Sequence, residues 1–357
     1  MTINVFCDSQ DEETQRQWAD CLEHPALRAA ALMPDAHGGY HAPIGSVIAL
    51  KDWIVPSWVG YDIGCGMCAI KTRLSKAKLG DLTELHANIH KAVPVGFGLH
   101  NRTELPFDIS RNTEAIRQAF EKRKVAQQFG TLGTGNHFIE VGIGLDNLVW
   151  IVLHSGSRGF GHEVATYWMD RQKKETTNMG WYAGSLEGKI YINDMKICLN
   201  YAYQNRLEML KLIEKLLPEN AYDWDTLINR HHNHLDIAHG YYIHRKGATH
   251  AEKDMYGVIP GNMKDGSFIT RGLGNEKALW SSSHGAGRTL SRTQAKELLS
   301  IEQFERDMAG IVGDVKPSTL DESPAAYKDI NEVIEKQVKE EILVVVDQVK
   351  PLLNVKG

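Results

Sequence analysis

Three short stretches of the chain have the hydrophobic pattern of β-strands. Residues 44–50 and 137–141 are short and mostly apolar, and residues 148–154 form an almost continuous apolar run of the kind found in buried strands. Each stretch begins or ends in glycine-rich sequence. The pattern therefore predicts strands that lead directly into glycine-rich turns.

Apolar positions at helical spacing predict three helices. The clearest covers residues 195–217, with Asp194 as its N-cap and Pro218 as its end. A second is predicted to begin at residues 323–324, and a third to cover about 110–128. The positions that the second helix is expected to turn inward are Ile330, Val333, Ile334 and Val338. Because none of these helices carries clustered chemistry, they are predicted to be packing elements.

The length of the chain allows two or three domains, but the sequence offers no place to divide them. The 357 residues contain no Pro/Ser-rich linker, no low-complexity tract and no clear repeat. The 32 glycines lie in short motifs along the whole chain. We therefore expect one α+β domain spanning residues 1–357, with a helical segment at about 160–225 within it.

Composition argues against several classes of protein. Lys and Arg number 40 against 45 Asp and Glu, and the net charge of −5 disfavours a non-specific nucleic-acid coat without excluding a local basic cleft. Five cysteines in so long a chain indicate a reducing compartment rather than a disulfide framework. The N-terminal residues show no apolar signal region, and the longest aliphatic run, 342–346, is too short to cross a bilayer. We expect a cytoplasmic protein.

The sequence contains 16 histidines, and imidazole is the commonest metal ligand in proteins. Asp62 lies three residues before Cys65 in a glycine-rich turn, so both can converge on one ion. His137 and His154 stand at the ends of predicted strands, and His232 lies in a run of three imidazoles within four positions. This mixed O/S/N set is large enough for one closed or two open metal sites, and a shared thiolate could bridge two ions. Coordination preference leaves zinc and manganese both open.

Each of these residues also has an ordinary structural interpretation. A lone histidine such as His137 is more often a core residue with satisfied hydrogen bonds, and His154 could simply end a strand. Strict alternation would place His137 and Glu140 on opposite strand faces, so a shared site requires the strand to twist or end between them. Cys65 and Cys68 have redox spacing, but no βαβ pattern frames them.

Two further segments point to phosphate chemistry. The glycine-rich run 130–135 exposes backbone N–H groups that can hold phosphate oxygens, but it lacks the Lys-Ser/Thr ending of a P-loop. His284 stands among serines and small residues and is followed by Arg288, while the chain has no Gly-x-Ser-x-Gly elbow of a serine hydrolase. We therefore expect His284 to react itself, as a nucleophile or as an acid/base.

A series of segments, in one order along nearly the whole chain, resembles the RtcB family of RNA-splicing ligases. The segments are residues 33–45, 60–66, 133–140, 154–159, 231–233, 245–248, 259–261, 271–276, 283–288, 321–330 and 355–357. So many motifs in one order are far more specific than any single motif.

The resemblance implies a ligase that uses GTP and manganese to join an RNA 3′-phosphate or 2′,3′-cyclic phosphate end to a 5′-hydroxyl end. It implies that two Mn²⁺ ions are held by Asp62, Cys65, His137, His154 and His232, with Cys65 bridging. His284 would form a covalent histidine–GMP intermediate, from which GMP passes to the RNA 3′-phosphate. The other implied roles are GTP phosphate contacts from Asn136 and Asn233, guanine contacts from Glu140, Tyr327 and Lys356, places near the reacting centre for Asp35 and Lys246, and contacts to RNA or nucleotide phosphates from Arg158 and Arg288.

The implied fold has mixed β-sheets around a central metal and nucleotide cleft, with peripheral helices. His41, Ala42 and Asn262 depart from the residues that the family more often has, which are glycine, a large apolar residue and serine. The departures leave substrate choice open between RNA repair and tRNA splicing, and compact bacterial relatives imply a release-factor-like partner. Two other functions remain open: a metal-dependent phosphoesterase, and a non-catalytic protein that binds RNA ends.

Overall fold

The computed structural model describes residues 2–357, which form two main β-sheets and the helices that pack against them. The strands are β1 (Thr2–Val5), β2 (Leu27–His37), β3 (Ile44–Leu50), β4 (Trp53–Ile54), β5 (Gly66–Ser75), β6 (Phe138–Ile143), β7 (Leu148–Ser155), β8 (Trp181–Tyr182), β9 (Ile228–His231), β10 (Asn233–Ala238), β11 (Tyr241–Lys246), β12 (Ala248–His250), β13 (Tyr256–Pro260), β14 (Ser267–Gly272), β15 (Ser281–Ser283), β16 (Val312–Gly313) and β17 (Leu343–Lys356). The α-helices are α1 (Glu12–Leu22), α2 (Leu82–Ala92), α3 (Glu114–Lys122), α4 (Val125–Gln128), α5 (Arg158–Thr176), α6 (Leu186–Glu214), α7 (Arg292–Leu298), α8 (Ile301–Asp307) and α9 (Ile330–Lys339).

The larger sheet has eight strands and curls into a nearly closed barrel. Its strand order is β13-β14-β17-β6-β7-β5-β9, with the short β16 paired to β17. The two edge strands approach each other, since Arg230 Nε on β9 donates to the Tyr256 carbonyl of β13 at 3.3 Å. Because side chains alternate between the faces of a strand, Met67, Trp150 and Val152 pack together inside the barrel.

Helices cover the outer face of this barrel. The alternate side chains of these strands, such as Ile139 and Leu153, point out of the barrel and pack in one core with apolar residues of α2 and α6. Helices α3, α5 and α6 build a second core around Trp168 and Tyr201. Among the described residues, no helix combines the length and the apolar character needed to span a bilayer.

The smaller sheet has five strands in the order β1-β2-β3-β11-β10. β1 pairs with β2 in parallel, and the other pairs are antiparallel. Ile330 and Val333 of α9 pack in one core with this sheet, and Trp18 of α1 packs in another. The short β12–β15 pair joins the two sheets, because β12 lies against β9 and β3 while β15 lies against β2.

The α+β class and the three predicted strands are confirmed. β3 has the predicted bounds, and β6 and β7 differ from prediction by one or two residues at an end. His137 precedes β6, so strand alternation does not apply to it. The expected conflict between His137 and Glu140 is resolved because the strand begins after the histidine.

The predicted cap of the longest helix is wrong. α6 begins at Leu186, and its N-cap is Ser185, whose side chain accepts from the Gly188 N–H. Asp194 lies inside the helix, where its carboxylate accepts from Thr113 Oγ1 at 2.8 Å and Trp168 Nε1 at 2.9 Å. A carboxylate that looks like a cap in sequence here fixes the contact between α6 and its neighbours.

Two other helices are shorter than predicted. The segment expected to become helical at residues 323–324 starts with a 3-10 turn at Pro324–Ala326, and α9 begins only at Ile330, capped by Asp329. The predicted inward orientation of Val338 is wrong, because this side chain is 43% exposed. The 110–128 region divides into α3 and α4.

Candidate active site

Neighbouring strands of the barrel bring three predicted metal ligands to one end of it. His154 on β7 pairs with Phe138 of β6 on one side and with Met67 of β5 on the other. His137 comes just before β6 and Cys65 just before β5. Because β5 and β6 run antiparallel to β7, their first residues lie beside the end of β7. Residues far apart in sequence meet there.

Two turns add the remaining ligands. The turn from Asp62 to Cys65 is closed by the Cys65 N–H, which donates to the Asp62 carbonyl at 3.1 Å. His232 follows β9, and its N–H donates to the Cys65 carbonyl at 2.7 Å. A Cβ on Gly156 would lie 2.3 Å from Asp62 Oδ1, so the glycine leaves room for this carboxylate.

The five side chains form two trios that share Cys65 Sγ. In the first, Sγ lies 3.1 Å from His154 Nε2, which lies 3.2 Å from His232 Nε2. In the second, Sγ lies 3.5 Å from His137 Nε2, which lies 3.3 Å from Asp62 Oδ2. All ligand atoms of a trio lie within 4.8 Å of one another. The arrangement suits two adjacent ions that share one thiolate.

The imidazoles are oriented with Nε2 toward this cluster. His137 Nδ1 and His154 Nδ1 lie 3.0 and 3.1 Å from the carbonyls of Leu132 and Asn136. A carbonyl accepts only from a protonated Nδ1, so each Nε2 keeps its lone pair for a metal. Burial, with neighbouring histidines adding to it, lowers the pKa of His154 and His232 well below the usual value. Both rings are therefore neutral, as metal ligands must be.

The thiol of the cluster depends on a cation for its ionisation. Burial, and next the charge of Asp62, raise the pKa of Cys65 well above its usual value. A divalent ion bound beside Sγ would reverse this preference and stabilise the thiolate. The buried thiol, carboxylate and neutral imidazoles therefore fit a divalent transition metal.

His284 stands beside the cluster, with its ring centre 4.8 Å from that of His232. Asp35 Oδ2 lies 2.7 Å from His284 Nδ1 and 3.2 Å from its backbone nitrogen. Burial raises the pKa of Asp35, but the hydrogen bond and charge of His284 lower it more, so the pKa is below its usual range. The carboxylate thus holds the Nδ1–H and leaves Nε2 with a free lone pair.

A cavity of 220 Å³ is lined by His284 and by the end of the barrel interior. Phe138 and Glu140 of β6 and Lys356 of β17 line its wall, because β6 pairs with β17 and alternate residues share a face. Glu140 is buried, and its Oε1 has no hydrogen-bond partner in the described part of the chain. Burial raises the pKa of Glu140 to about 8, more than the Ser267 hydroxyl and the charge of Lys356 lower it. Such a carboxylate is placed to accept hydrogen bonds from a ligand.

Glu322, which the sequence pattern does not single out, also lines this cavity and connects several of its residues. Its carboxylate accepts from Lys356 Nζ and from the Tyr327 hydroxyl, each at 2.6 Å, and from Arg288 Nη1 at 3.3 Å. Arg292 Nη1 lies 2.8 Å away. Three residues predicted to contact the nucleotide or RNA, namely Arg288, Tyr327 and Lys356, thus belong to one buried network centred on Glu322. The sequence marks Glu322 only by its place in the 321–330 segment.

A second cavity, of 380 Å³, is lined by Asp62 and His137 of the cluster. Arg158 lines it, with Nε 3.2 Å from Thr131 Oγ1. Phe97 also lines it and is 94% exposed. Asn136 lines both cavities. Arg158 and Arg288 therefore face different cavities.

Asn233 and Lys246 tie together the loops around the cluster. Asn233 Nδ2 donates to the Asp62 carbonyl at 3.2 Å, and its Oδ1 accepts from the Gly247 N–H at 2.9 Å. Lys246 Nζ donates to the Tyr40 carbonyl. Burial lowers the pKa of Lys246 to about 8.

Helix α6 does more than pack, contrary to the prediction. Arg206 is fully buried and donates to the carbonyls of Gly64 and Ser155, each at 2.8 Å. These carbonyls are adjacent in sequence to Cys65 and His154, so the guanidinium holds both ligand-bearing loops in place. A search for apolar helical spacing does not detect such a residue, because the arginine faces inward among polar backbone groups.

Comparison with known proteins gives one consistent result. A family model described as "tRNA-splicing ligase RtcB" matches residues 17–119 and 108–357. RNA-splicing ligases RtcB1 and RtcB from two Escherichia coli strains are each 36% identical to the chain, over 97% of it and 95% of their own lengths. The tRNA-splicing ligase RtcB of Nanoarchaeum equitans is 29% identical over 93% of the chain and 88% of its own length.

Proposed function

The chain belongs to the RtcB family of RNA-splicing ligases and is itself an RNA ligase, and we propose that it uses GTP and Mn²⁺ to join a 3′-phosphate or 2′,3′-cyclic phosphate end to a 5′-hydroxyl end. The RNA ends that it joins would arise in RNA repair or in tRNA splicing. The observation that carries the proposal is the position of His284, which lines a cavity, adjoins the ligand cluster and is oriented by Asp35.

In the first step His284 Nε2 attacks the α-phosphorus of GTP. A P–N bond forms, the bond from the α-phosphorus to the bridging oxygen breaks, and pyrophosphate leaves. The ring gains positive charge in this step. Asp35 accepts the Nδ1–H at 2.7 Å and stabilises that charge.

The later steps pass GMP to the RNA. Water first opens a cyclic phosphate to a 3′-phosphate, and an oxygen of that phosphate then attacks the phosphorus on His284. The P–N bond breaks, and its electron pair returns to Nε2. The 5′-hydroxyl attacks the activated 3′-phosphorus, a phosphodiester forms, GMP leaves and the hydroxyl proton passes to water. GMP thus serves as the leaving group that a 3′-phosphate lacks.

Two Mn²⁺ ions are assigned to the cluster of Asp62, Cys65, His137, His154 and His232. Bound there, they would neutralise phosphate charge and stabilise entering and leaving oxygens. The neutral imidazoles and the shared thiol support a divalent transition metal. Manganese is chosen over zinc because of the family resemblance.

The cavity beside His284 is assigned to the guanosine of GTP. Guanine presents its ring N–H and its amino group as neighbouring donors on one edge, and an ionised Glu140 can accept from both. Adenine lacks the ring N–H at this position. Tyr327 and Lys356, joined through Glu322, line the same cavity, and Asn136 and Asn233 are assigned to the phosphates.

RNA is assigned to the second cavity. Arg158 lies on its wall and can contact a phosphate, while the exposed ring of Phe97 offers a surface on which a base can stack. The first cavity is lined by His154 and His284, the second by Asp62 and His137, and Asn136 lines both. Nucleotide and RNA would therefore meet at the cluster.

Residues 1–357 are proposed to fold as a single domain. The last strand, β17, lies inside the larger sheet between β14 and β6, so the C-terminal segment completes a sheet built from the middle of the chain. The release-factor-like partner stays a prediction.

A joining assay distinguishes this function from the two alternatives. One RNA strand with a 2′,3′-cyclic phosphate and one with a 5′-hydroxyl are incubated with GTP and Mn²⁺. The proposal expects a joined product, and it expects none with ATP in place of GTP, with a 5′-phosphate strand or with His284→Ala. Loss of phosphate without joining would establish the phosphoesterase instead, and end-dependent binding without any reaction would establish an RNA-end binding protein.

A further inference from the structure

A second group of metal-ligand side chains lies outside the active site, between α2 and the loop after β16. His86 and His90 are one turn apart on α2, and Asp314 lies opposite them. Asp314 Oδ2 is 2.9 Å from His90 Nε2 and 3.4 Å from His86 Nε2. All three ligand atoms lie within 4.8 Å of one another.

One of the two imidazoles lacks a partner. His86 Nε2 is buried and makes no hydrogen bond to any described residue. An i, i+4 pair of histidines on one helix face places two nitrogens side by side, which is a common way to hold a metal ion. The unsatisfied nitrogen points at the same carboxylate that its neighbour contacts.

We propose that His86, His90 and Asp314 bind one zinc ion, with water completing the coordination. Zinc bonds to imidazole and carboxylate are about 2.0–2.2 Å long, so two ligand atoms of a tetrahedral site lie about 3.4 Å apart. The observed separations of 2.9 and 3.4 Å need little adjustment to match this value. The His₂Asp donor set with an open position is one that zinc accepts readily.

Asp314 Oδ2 faces the two histidines and accepts from the Lys356 backbone N–H at 2.9 Å, so an ion would use its remaining lone pair. Lys316 Nζ lies 3.1 Å from the other oxygen, Oδ1, and its side chain is 49% exposed. The Oδ2 that faces the histidines is therefore not occupied by this lysine.

A comparable group elsewhere in the chain differs in that a buried cation lies beside the carboxylate oxygen that would bind the ion. Asp236, His250 and Glu252 also bring three ligand atoms together. The guanidinium of Arg245 is fully buried there, 3.4 Å from Asp236 Oδ2, and already places a positive charge beside that carboxylate. This group serves as a matched control.

The proposed ion would connect α2 to the end of the last strand. Asp314 Oδ2 also accepts from the Lys356 backbone N–H at 2.9 Å, and Lys356 Nζ contacts Glu322 in the cavity beside His284. Zinc at this position would therefore fix the backbone that carries one wall of the cavity. Its role is structural, and it does not depend on the ligase reaction.

The test counts zinc bound to the intact chain. Protein stripped with a chelator is reloaded with zinc, desalted and analysed by inductively coupled plasma mass spectrometry. His90→Gln is expected to hold one ion fewer per chain than the wild type, and His250→Gln is expected to hold as many as the wild type. The zinc content of each variant is compared with that of the wild type, so ions bound at the Cys65 cluster contribute equally to both and cancel. Failure of the ligase proposal would not alter this difference.

A second measurement guards against misfolding of the variant. Asp314→Asn keeps the shape of the side chain but weakens the ligand, and the increase in melting temperature on adding zinc to stripped protein should be smaller than in the wild type. Anomalous diffraction at the zinc edge should place an ion among His86, His90 and Asp314. Equal zinc content in the wild type and His90→Gln, both folded by circular dichroism, would overturn the proposal.

Discussion

Replacing Glu140 with glutamine tests the buried carboxylate of the nucleotide cavity. Burial raises the pKa of native Glu140 to about 8, whereas its usual value is 4.5. Between these two values the folded protein keeps a proton that the unfolded chain has lost. The free energy of unfolding therefore falls as pH rises through this window.

The size of this change in stability follows from the difference between the pKa of Glu140 in the folded protein and its pKa in the unfolded chain. Each unit corresponds to about 1.4 kcal/mol, and most of the slope acts between pH 5.5 and pH 7.5. Because the folded protein keeps this proton and the unfolded chain does not, the free energy of unfolding should fall by about 2 kcal/mol over this interval. Glutamine does not titrate, so Glu140→Gln should lack this decline and gain stability relative to the wild type as pH rises.

The measurement is urea unfolding followed by circular dichroism at several pH values, with a chelator present so that metal binding does not contribute. Glu305→Gln, at an exposed position on α8, controls for the loss of one charge. The decisive quantity is the difference between variant and wild type at each pH. A difference that stayed constant from pH 5.5 to pH 7.5 would show that the native carboxyl does not retain its proton in this range.

The same carboxylate should couple GTP binding to pH. Guanine N–H donors bind the ionised form, so GTP should release a proton on binding below pH 8, and its affinity should increase with pH up to that value. Glu140→Gln should weaken GTP binding by about 2 kcal/mol, or roughly 30-fold. Calorimetry in two buffers of different ionisation enthalpy measures the proton release and the GTP affinity. An unchanged GTP affinity in the variant would contradict the assignment of Glu140 to guanine.

Three further changes test other parts of the site. His232→Ala should bind one metal ion fewer than the wild type, and Cys65→Ala should bind neither ion, because Cys65 Sγ is the ligand atom that the two trios share. Equal losses of metal in the two variants would contradict a shared thiolate. Asp35→Asn should slow guanylylation in single-turnover experiments by about 10²–10⁴-fold with metal content unchanged, since asparagine cannot stabilise the charged ring; a normal rate would exclude a role for Asp35. Phe97→Ala should weaken RNA binding by about 1–3 kcal/mol in fluorescence anisotropy and leave GTP binding intact, whereas Leu145→Ala, at another exposed apolar position, should change neither.

Residues at strand ends could be predicted from the sequence because their signals are local. His137 and His154 stand where apolar runs meet glycine-rich turns, and Asp62 and Cys65 share one such turn. Local pattern shows which side chains can face a ligand. Their convergence depends on the strand order of the barrel, which the hydrophobic pattern does not specify.

Residues that act through tertiary contacts could not be predicted in this way. Arg206 and Glu322 are buried charges, and their roles depend on backbone carbonyls and side chains that lie far away in sequence. Asp194 is predicted from local sequence to cap a helix, but its carboxylate instead accepts a hydrogen bond from Trp168 across a helix interface. In each case the deciding partner is set by packing and has no fixed spacing along the chain.

Two of the expected departures from the family pattern, His41 and Asn262, lie in turns. His41 takes φ +65, a left-handed conformation that glycine adopts without strain. Asn262 Oδ1 accepts from the backbone N–H groups of Lys264 and Asp265, which closes a local turn. Both positions keep the chain path, and none of the assigned metal ligands is altered.

Retention of label from GTP on the denatured protein is a direct test for a covalent His284–GMP intermediate. The protein is incubated with GTP labelled at the α-phosphate and Mn²⁺, denatured, and separated from free nucleotide. We expect one acid-labile label per active chain on the wild type, attached at His284 and absent from His284→Ala with an unchanged metal content. A wild-type protein that joins RNA ends but retains no label, or a His284→Ala variant that retains it, would exclude His284 as the nucleophile.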